Sequence, residues 1–166
     1  MKIIRFLAII LISILKNSCR VVKAPVITKN YSINEYKYVF IPTTNSLTSG
    51  AGRVYGNPGG AYGVSATKSV NPSDVISGIL LKEGFTILPE MKQEFVDKTL
   101  IVNYGESGRR NVAGCFGCYT IEVTITFISA KSYETMCSCT AEGMGQTEAD
   151  DMRIAITRCL SGLFSK

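Results

Sequence analysis

Closely spaced cysteines are the residues in this chain best suited to chemistry. Four of the six cysteines form two pairs: Cys115 and Cys118 make a C-x-x-C, and Cys137 and Cys139 are one residue apart. Such pairs hold a metal, cycle between thiol and disulfide, or serve as small structural residues. A single zinc site would need all four sulfurs within bonding distance of one ion.

The predicted strand pairing separates the two pairs of cysteines. A hairpin near the carboxyl end of the chain places Cys137 opposite Phe127 and Cys139 opposite Ile125. Cys118 precedes Ile125 by seven positions, which at about 3.3 Å per residue corresponds to roughly 20 Å. The sequence therefore predicts no metal site, and it indicates no cofactor.

The same register predicts that Cys137 and Cys139 lie on the buried face of the hairpin as small apolar residues. Cys159 lies on the apolar face of the last predicted helix, so a disulfide to either of them is possible in an exported protein. Cys115 and Cys118 stand at the entry to a strand, with no helix after them to lower a thiol pKa. We interpret them as a local disulfide or two thiols at a loop end. A thiol-redox or metal-binding role for this pair remains the alternative.

Composition excludes several classes of enzyme. The chain contains no histidine, so Ser-His-Asp triads, Cys-His nucleophiles and H-E-x-x-H zinc sites are ruled out. The formal charge is +5, but three of the 18 basic residues fall in the first 19 positions, which contain no acidic residue. The remaining 15 basic and 13 acidic residues nearly balance, which argues against binding to nucleic acid. We expect a protein that is not an enzyme.

Residues 1–19 have the three parts of an export signal. Lys2 and Arg5 form a basic start, and an apolar run of ten residues follows over 6–15. Ten helical residues cover about 15 Å, half the thickness of a bilayer core, so the run is typical of a signal peptide rather than a membrane span. The sequence up to Cys19 resembles a bacterial lipoprotein signal, in which this cysteine is lipidated. Lys16 stands where that motif has leucine.

The predicted organisation is therefore a lipoprotein-type signal over 1–19, a tether over 20–37 and one domain over 38–166. Lipid on Cys19 would attach the domain to a membrane without spanning it. The alternative is a soluble secreted protein with a spare cysteine.

Hydrophobic patterns predict an α/β (α+β) fold, with about five strands in a mixed sheet and two main helices in a two-layer sandwich. Strands are expected over 38–42, 85–88, 99–104, 120–129 and 135–141, and helices over 72–83 and 148–164. Asn71 and Thr147 are the expected helix N-caps, and Gly84 is the expected stop of the first helix. The strand–helix–strand order over 38–88 favours a parallel pair. The chain is predicted to close with an antiparallel hairpin and a helix.

Residues 43–70 show no periodicity and are predicted to form a Gly/Tyr-rich loop. A flexible surface loop is the simpler interpretation. The functional one is contact with a partner through the loop's aromatic, amide and basic side chains: Arg53, Tyr55, Asn57, Tyr62 and Lys68. No phosphate-binding or dinucleotide-binding glycine motif is present.

The order of these segments resembles small Gram-negative envelope lipoproteins of unassigned function, whose fold is similar to the amino-terminal domain of TolB. The resemblance lies between residues 38 and 164, in the segments YVFIP, NPSDVISGILLKEGF, TLIVNYG, YTIEVTITFISA, CSCTAEG and TEADDMRIAITRCLSGLF. It implies a periplasmic or envelope scaffold and no catalytic residues. The Gly/Tyr-rich segment and the cysteine pairs depart from a generic member.

The sequence as a whole predicts a non-enzymatic, lipid-anchored protein of the cell envelope, on the periplasm-facing side of the outer membrane. Its expected partners are the membrane, through the lipid, and an unknown envelope protein or glycan bound by residues 43–70.

Overall fold

The computed structural model describes residues 22–57, 60–112 and 118–165, with the backbone alone described for 51–57 and 60–66. Eight strands and two α-helices are found in these ranges. The strands are β1 (Val26–Lys29), β2 (Tyr38–Phe40), β3 (Leu47–Asn57), β4 (Gly60–Val70), β5 (Thr86–Leu88), β6 (Thr99–Asn111), β7 (Tyr119–Ser129) and β8 (Thr135–Gly143). The helices are α1 (Pro72–Lys82) and α2 (Glu148–Phe164), and a 3-10 turn covers Gln93–Lys98. No helix in these ranges is long and apolar enough to cross a membrane.

Six strands form one mixed sheet in the order β1-β8-β7-β6-β2-β5. The β2 strand runs parallel to both β5 and β6, and the other pairs are antiparallel. Both helices contact the sheet and each other. The predicted α+β fold, with its mixed sheet, parallel β2–β5 pair and closing hairpin and helix, is confirmed.

The core lies between α2 and one face of β7 and β8. Alternate residues of β7, from Ile121 through Phe127, are fully buried, while the residues between them are partly exposed. This alternation arises because successive side chains of a strand point to opposite faces. Gly143 ends β8 where the strand meets α2, and a Cβ there would lie 1.9 Å from the carbonyl oxygen of Asp151. Glycine is therefore required for this close approach.

The ends of both helices follow the predicted signals. Asn71 accepts a hydrogen bond from the Ser73 amide at 3.2 Å, and Thr147 accepts one from the Asp150 amide at 3.2 Å. Gly84 follows α1 with a φ of +92°, the left-handed conformation that ends many helices.

The prediction of a loop over residues 43–70 is wrong for most of the segment. β3 and β4 pair along their whole length as an antiparallel ribbon, from Leu47 opposite Val70 to Asn57 opposite Gly60. The segment is rich in glycine, which lowers strand propensity, and it also lacks the apolar alternation by which a half-buried strand is detected.

The amino-terminal segment also differs from the prediction of a tether over 20–37. Residues 26–29 form β1, the outer strand of the sheet, with Val26 opposite Thr140 and Lys29 opposite Cys137. Four residues carry too short a pattern to predict a strand. Similarly, β6 continues to Asn111, beyond the strand expected over 99–104, through a bulge between Glu106 and Gly108.

Candidate partner-binding surface

The β3–β4 ribbon carries the residues predicted to contact a partner. Directly opposed residues of an antiparallel pair share a face, and every second position along a strand returns to that face. The register opposes Arg53 to Val64, Tyr55 to Tyr62, Asn57 to Gly60 and Ser49 to Lys68. All five predicted residues, Arg53, Tyr55, Asn57, Tyr62 and Lys68, therefore share one face of the ribbon, which we call the aromatic face.

The opposite face is built mainly from small residues. Its opposed pairs are Thr48–Ser69, Gly50–Thr67, Gly52–Ser65, Val54–Gly63 and Gly56–Ala61. Only one position in these five pairs holds a residue larger than threonine. The ribbon thus has two chemically distinct faces, which cannot be recognised until the register is known.

The base of the aromatic face is attached to the start of α2. The Lys68 ammonium donates to both carboxylate oxygens of Asp150, at 2.8 and 2.9 Å, and the Ser49 hydroxyl oxygen accepts from the Ala149 amide at 2.8 Å. The hydrogen bond from Lys68 lowers the pKa of Asp150. Val70 is buried in the core at the end of β4. Lys68 thus holds the ribbon on the domain, whereas the other four predicted residues lie farther out.

A charged cluster lies beside this attachment. Arg109 pairs with Glu106, at 2.8 Å between Nε and Oε1, and with Glu148 at the start of α2. Its guanidinium also lies 5.4 Å from the centre of the Tyr119 ring, within range of a cation–π contact. Because Glu148 neighbours the residues that hold the ribbon, the strand β6 and the ribbon base meet at one end of the domain.

A cleft of about 260 Å³ separates the ribbon base from this end of the sheet. Its lining includes Ser49, Cys118, Tyr119, Gln146 and Asp151. Asp151 is 5% exposed, its carboxylate accepts from the Gly145 amide, and burial raises its pKa. This carboxylate already has a partner within the protein. In the described ranges no group of three or more histidine, cysteine or acidic residues is arranged to hold a metal.

The cysteines are divided among three environments. Cys139 and Cys159 form a disulfide between β8 and α2, with Cα atoms 5.5 Å apart, which is one of the two pairings of Cys159 that the sequence left open. Cys137 is a buried free thiol whose pKa is raised to about 11 by burial. Cys118 is disulfide-bonded. Cys115 and the predicted lipidation site Cys19 lie outside the described residues.

The predicted register of the hairpin is confirmed. Cys137 lies opposite Phe127, Cys139 opposite Ile125 and Ala141 opposite Val123. Cys137 and Cys139 are 1% exposed, so both act as small core residues. The disulfide makes Cys139 unavailable as a zinc thiolate.

Sequence reasoning missed a second depression at the far end of the domain. This groove of about 900 Å³ lies between residues 29–36, the end of α1 and the end of α2, and it is lined by Tyr31, Ile33, Phe85 and Phe164 among others. Its walls come from segments far apart in the chain. A groove formed in this way cannot be predicted from a local sequence pattern.

No protein-family model matches this sequence, and no curated protein matches it significantly. Among solved structures, the chain is similar to a dodecamer of a PelC variant from Paraburkholderia phytofirmans, with a TM-score of 0.46 and 14% sequence identity. The similarity covers 84% of this chain and 95% of that chain.

Proposed function

We propose that this protein is a non-enzymatic, lipid-anchored protein of the cell envelope that binds a partner protein through the aromatic face and edges of its ribbon. The observation that carries the proposal is the register of β3 and β4, which gathers Arg53, Tyr55, Asn57 and Tyr62 on one face. Tyrosine and arginine are the residues that dominate many protein interfaces.

The ribbon's dimensions support a binding role. Each strand has 11 residues, so the ribbon is about 36 Å long. Among the described residues, β3 and β4 hydrogen-bond as strands only with each other, which leaves one backbone edge of each strand open. A two-stranded ribbon is at best marginally stable alone in water. Addition of an extended segment to such an edge is a common mode of protein recognition, so a protein suits this surface better than a glycan.

The anchor is proposed at Cys19, which follows the export signal. A lipid there places the protein in the envelope, on the periplasm-facing side of the outer membrane. Incorporation of labelled palmitate by the wild type, lost in Cys19→Ser, tests this part. Unchanged incorporation in the variant, or none in the wild type, argues against the anchor at this position.

The binding proposal is tested by photocrosslinking in the cells that produce the protein. A photoreactive phenylalanine replaces Tyr55 or Tyr62 on the ribbon, and Tyr133, which is 76% exposed in the β7–β8 turn, serves as the matched control. We expect a discrete protein adduct at the two ribbon positions and none at the control. Equal adducts at all three positions, or none on the ribbon, would contradict the proposal. An adduct removed by glycosidase instead of protease would indicate a glycan partner.

A shortened ribbon supplies an independent variant. Deleting residues 53–64 joins Gly52 to Ser65 and keeps Ala51 opposite Ala66. Gly-Ser is a suitable two-residue hairpin turn, so the base and its contacts with α2 are retained. We expect an unchanged fold and loss of the partner from the anchored protein. Retention of the partner by this variant would show that the outer ribbon is not the binding surface.

A further inference from the structure

The amino-terminal segment is fastened to the domain at Lys23. The Lys23 amide donates to Glu142 Oε2 at 3.0 Å, and the Lys23 ammonium lies 3.5 Å from Glu142 Oε1. The Arg158 guanidinium donates to the carbonyl oxygen of Lys23 at 2.6 Å. Arg158 also donates to the carbonyl oxygen of Glu142. Three residues later the chain enters β1 and pairs with β8. The chain is therefore part of the folded domain from Lys23 onwards.

This attachment limits the reach of an anchor at Cys19. Four residue steps separate Cys19 from Lys23, and a fully extended chain covers at most about 3.6 Å per residue. Whatever conformation residues 20–22 adopt, the anchored cysteine lies within about 14 Å of Lys23. A tether that continued to residue 37 would instead have let the domain move freely above the membrane.

We infer that the end of the domain formed by Lys23, Glu142 and the ribbon base lies directly against the phospholipid surface. The inference rests on the proposed anchor, and it adds an orientation of the whole domain. This end of the domain contacts the headgroup layer of the same membrane that holds the lipid of Cys19.

The ribbon base lies near the membrane in this orientation. Lys23 lies at the carboxyl end of β8, and α2 begins five residues after that strand ends, where Ala149 holds Ser49 of the ribbon. The ribbon base is therefore at the same end of the domain as the anchor. The partner bound by the ribbon is accordingly expected at the surface of the same membrane.

The opposite end of the domain is held away from the membrane. The β7–β8 turn with Tyr133 lies at the start of β8, about 26 Å from its carboxyl end by the rise of the strand. The 900 Å³ groove lies toward this far end, because it includes Lys29 and Cys137, which are paired near the start of β8. The groove therefore faces the aqueous compartment.

The chain contains no tryptophan, so single tryptophans report the orientation without background. Gln146→Trp marks the membrane end, since Gln146 is exposed in the loop before α2, and Tyr133→Trp marks the far end. Each full-length, lipidated variant is reconstituted into phosphatidylcholine vesicles with and without a headgroup spin-labelled lipid. Fluorescence quenching by the spin label is then compared, after urea titration has shown that both variants keep the wild-type fold.

Because the two positions lie beyond opposite ends of β8, which is about 26 Å long, we expect roughly twofold or greater quenching at Gln146→Trp than at Tyr133→Trp. A 20-residue Gly/Ser linker inserted between Val22 and Lys23 has a mean span of about 25 Å, and it should abolish the difference. Equal quenching at both positions without the linker, or stronger quenching at Tyr133→Trp, would overturn the orientation while leaving the anchor intact. If the lipidated variants bind vesicles no better than Cys19→Ser, the anchor itself fails, and the orientation fails with it.

Discussion

Replacing Glu142 by glutamine removes the charge around which the amino-terminal attachment is built. The side chain is 3% exposed and accepts from Arg110 Nε at 2.9 Å, Arg110 Nη2 at 2.7 Å and the Lys23 amide at 3.0 Å. All these groups are donors. Glutamine keeps one acceptor oxygen, but its amide NH₂ group faces one of these donors, so the variant loses both an ion pair and a hydrogen bond.

The size of the effect follows from the pKa of Glu142. Hydrogen bonds from Arg110, aided by the Lys23 amide, lower this pKa from 4.5 to about 2. Each unit corresponds to 1.36 kcal/mol, so the ionised carboxylate stabilises the folded protein by about 3 kcal/mol at neutral pH. Because the folded pKa lies below the unfolded one, this contribution is complete above pH 5 and is lost as the pH falls toward 2. At pH 3 about 1 kcal/mol remains.

Urea titration of the wild type and Glu142→Gln at pH 7, 5 and 3 measures the free energy of unfolding. We expect a difference of about 3 kcal/mol at pH 7 and 5 that narrows to about 1 kcal/mol at pH 3. Glu134→Gln, which changes an exposed carboxylate just before β8, is the matched control and should differ from wild type by no more than about 0.5 kcal/mol. A difference for Glu142→Gln that is under 1 kcal/mol at pH 7, or independent of pH, would refute this account.

Three further predictions concern the disulfide, the free thiol and a helix cap. Replacing Cys139 and Cys159 together by alanine opens a covalent loop with a sequence separation of 20 residues. Urea titration should show that the free energy of unfolding falls by about 3 kcal/mol, and a reductant should then have no further effect at this bond. Cys137 should resist iodoacetamide at pH 8 in the native protein and react after denaturation, because its thiol is buried with a pKa of about 11. Intact mass measures the labelling, and rapid labelling of the native protein would show that β8 opens. Asn71→Ala should lower the free energy of unfolding by about 1 kcal/mol, as measured by thermal or urea unfolding, and Asn71→Ser should lower it much less, because either asparagine or serine can accept from the Ser73 amide. Equal decreases for both variants would argue against the cap.

The closing hairpin and helix were predictable because their signals are local and consistent. Ile121 to Phe127 alternates with threonine and glutamate, and a half-buried strand next to a short turn admits one register that keeps the apolar residues inside. That register correctly opposed Cys137 to Phe127. The cap at Thr147 depends only on residues within one helical turn, and it too could be identified from the sequence.

The ribbon was not predictable because its sequence lacks the apolar alternation by which a half-buried strand is detected. The stability of its strands depends on pairing with each other and on distant contacts such as Lys68 with Asp150, which are separated by 82 residues. Residue types alone identified Arg53, Tyr55, Asn57 and Tyr62 as candidates for recognition. Their arrangement on one face required the pairing of β3 with β4.

Composition and short-range patterns thus established the fold class, the excluded enzyme chemistries, the helix caps and the hairpin register, because each depends on residues close in sequence or on residues that are missing. Pairing between distant segments established the rest: β1 as an edge strand, Lys23 held by Glu142, and Cys139 bonded to Cys159. These features are backbone hydrogen bonds, a buried charge and a disulfide, and they join residues 20 to 119 positions apart. Such contacts exist only once the chain has folded, and they set the distance between the domain and its proposed anchor.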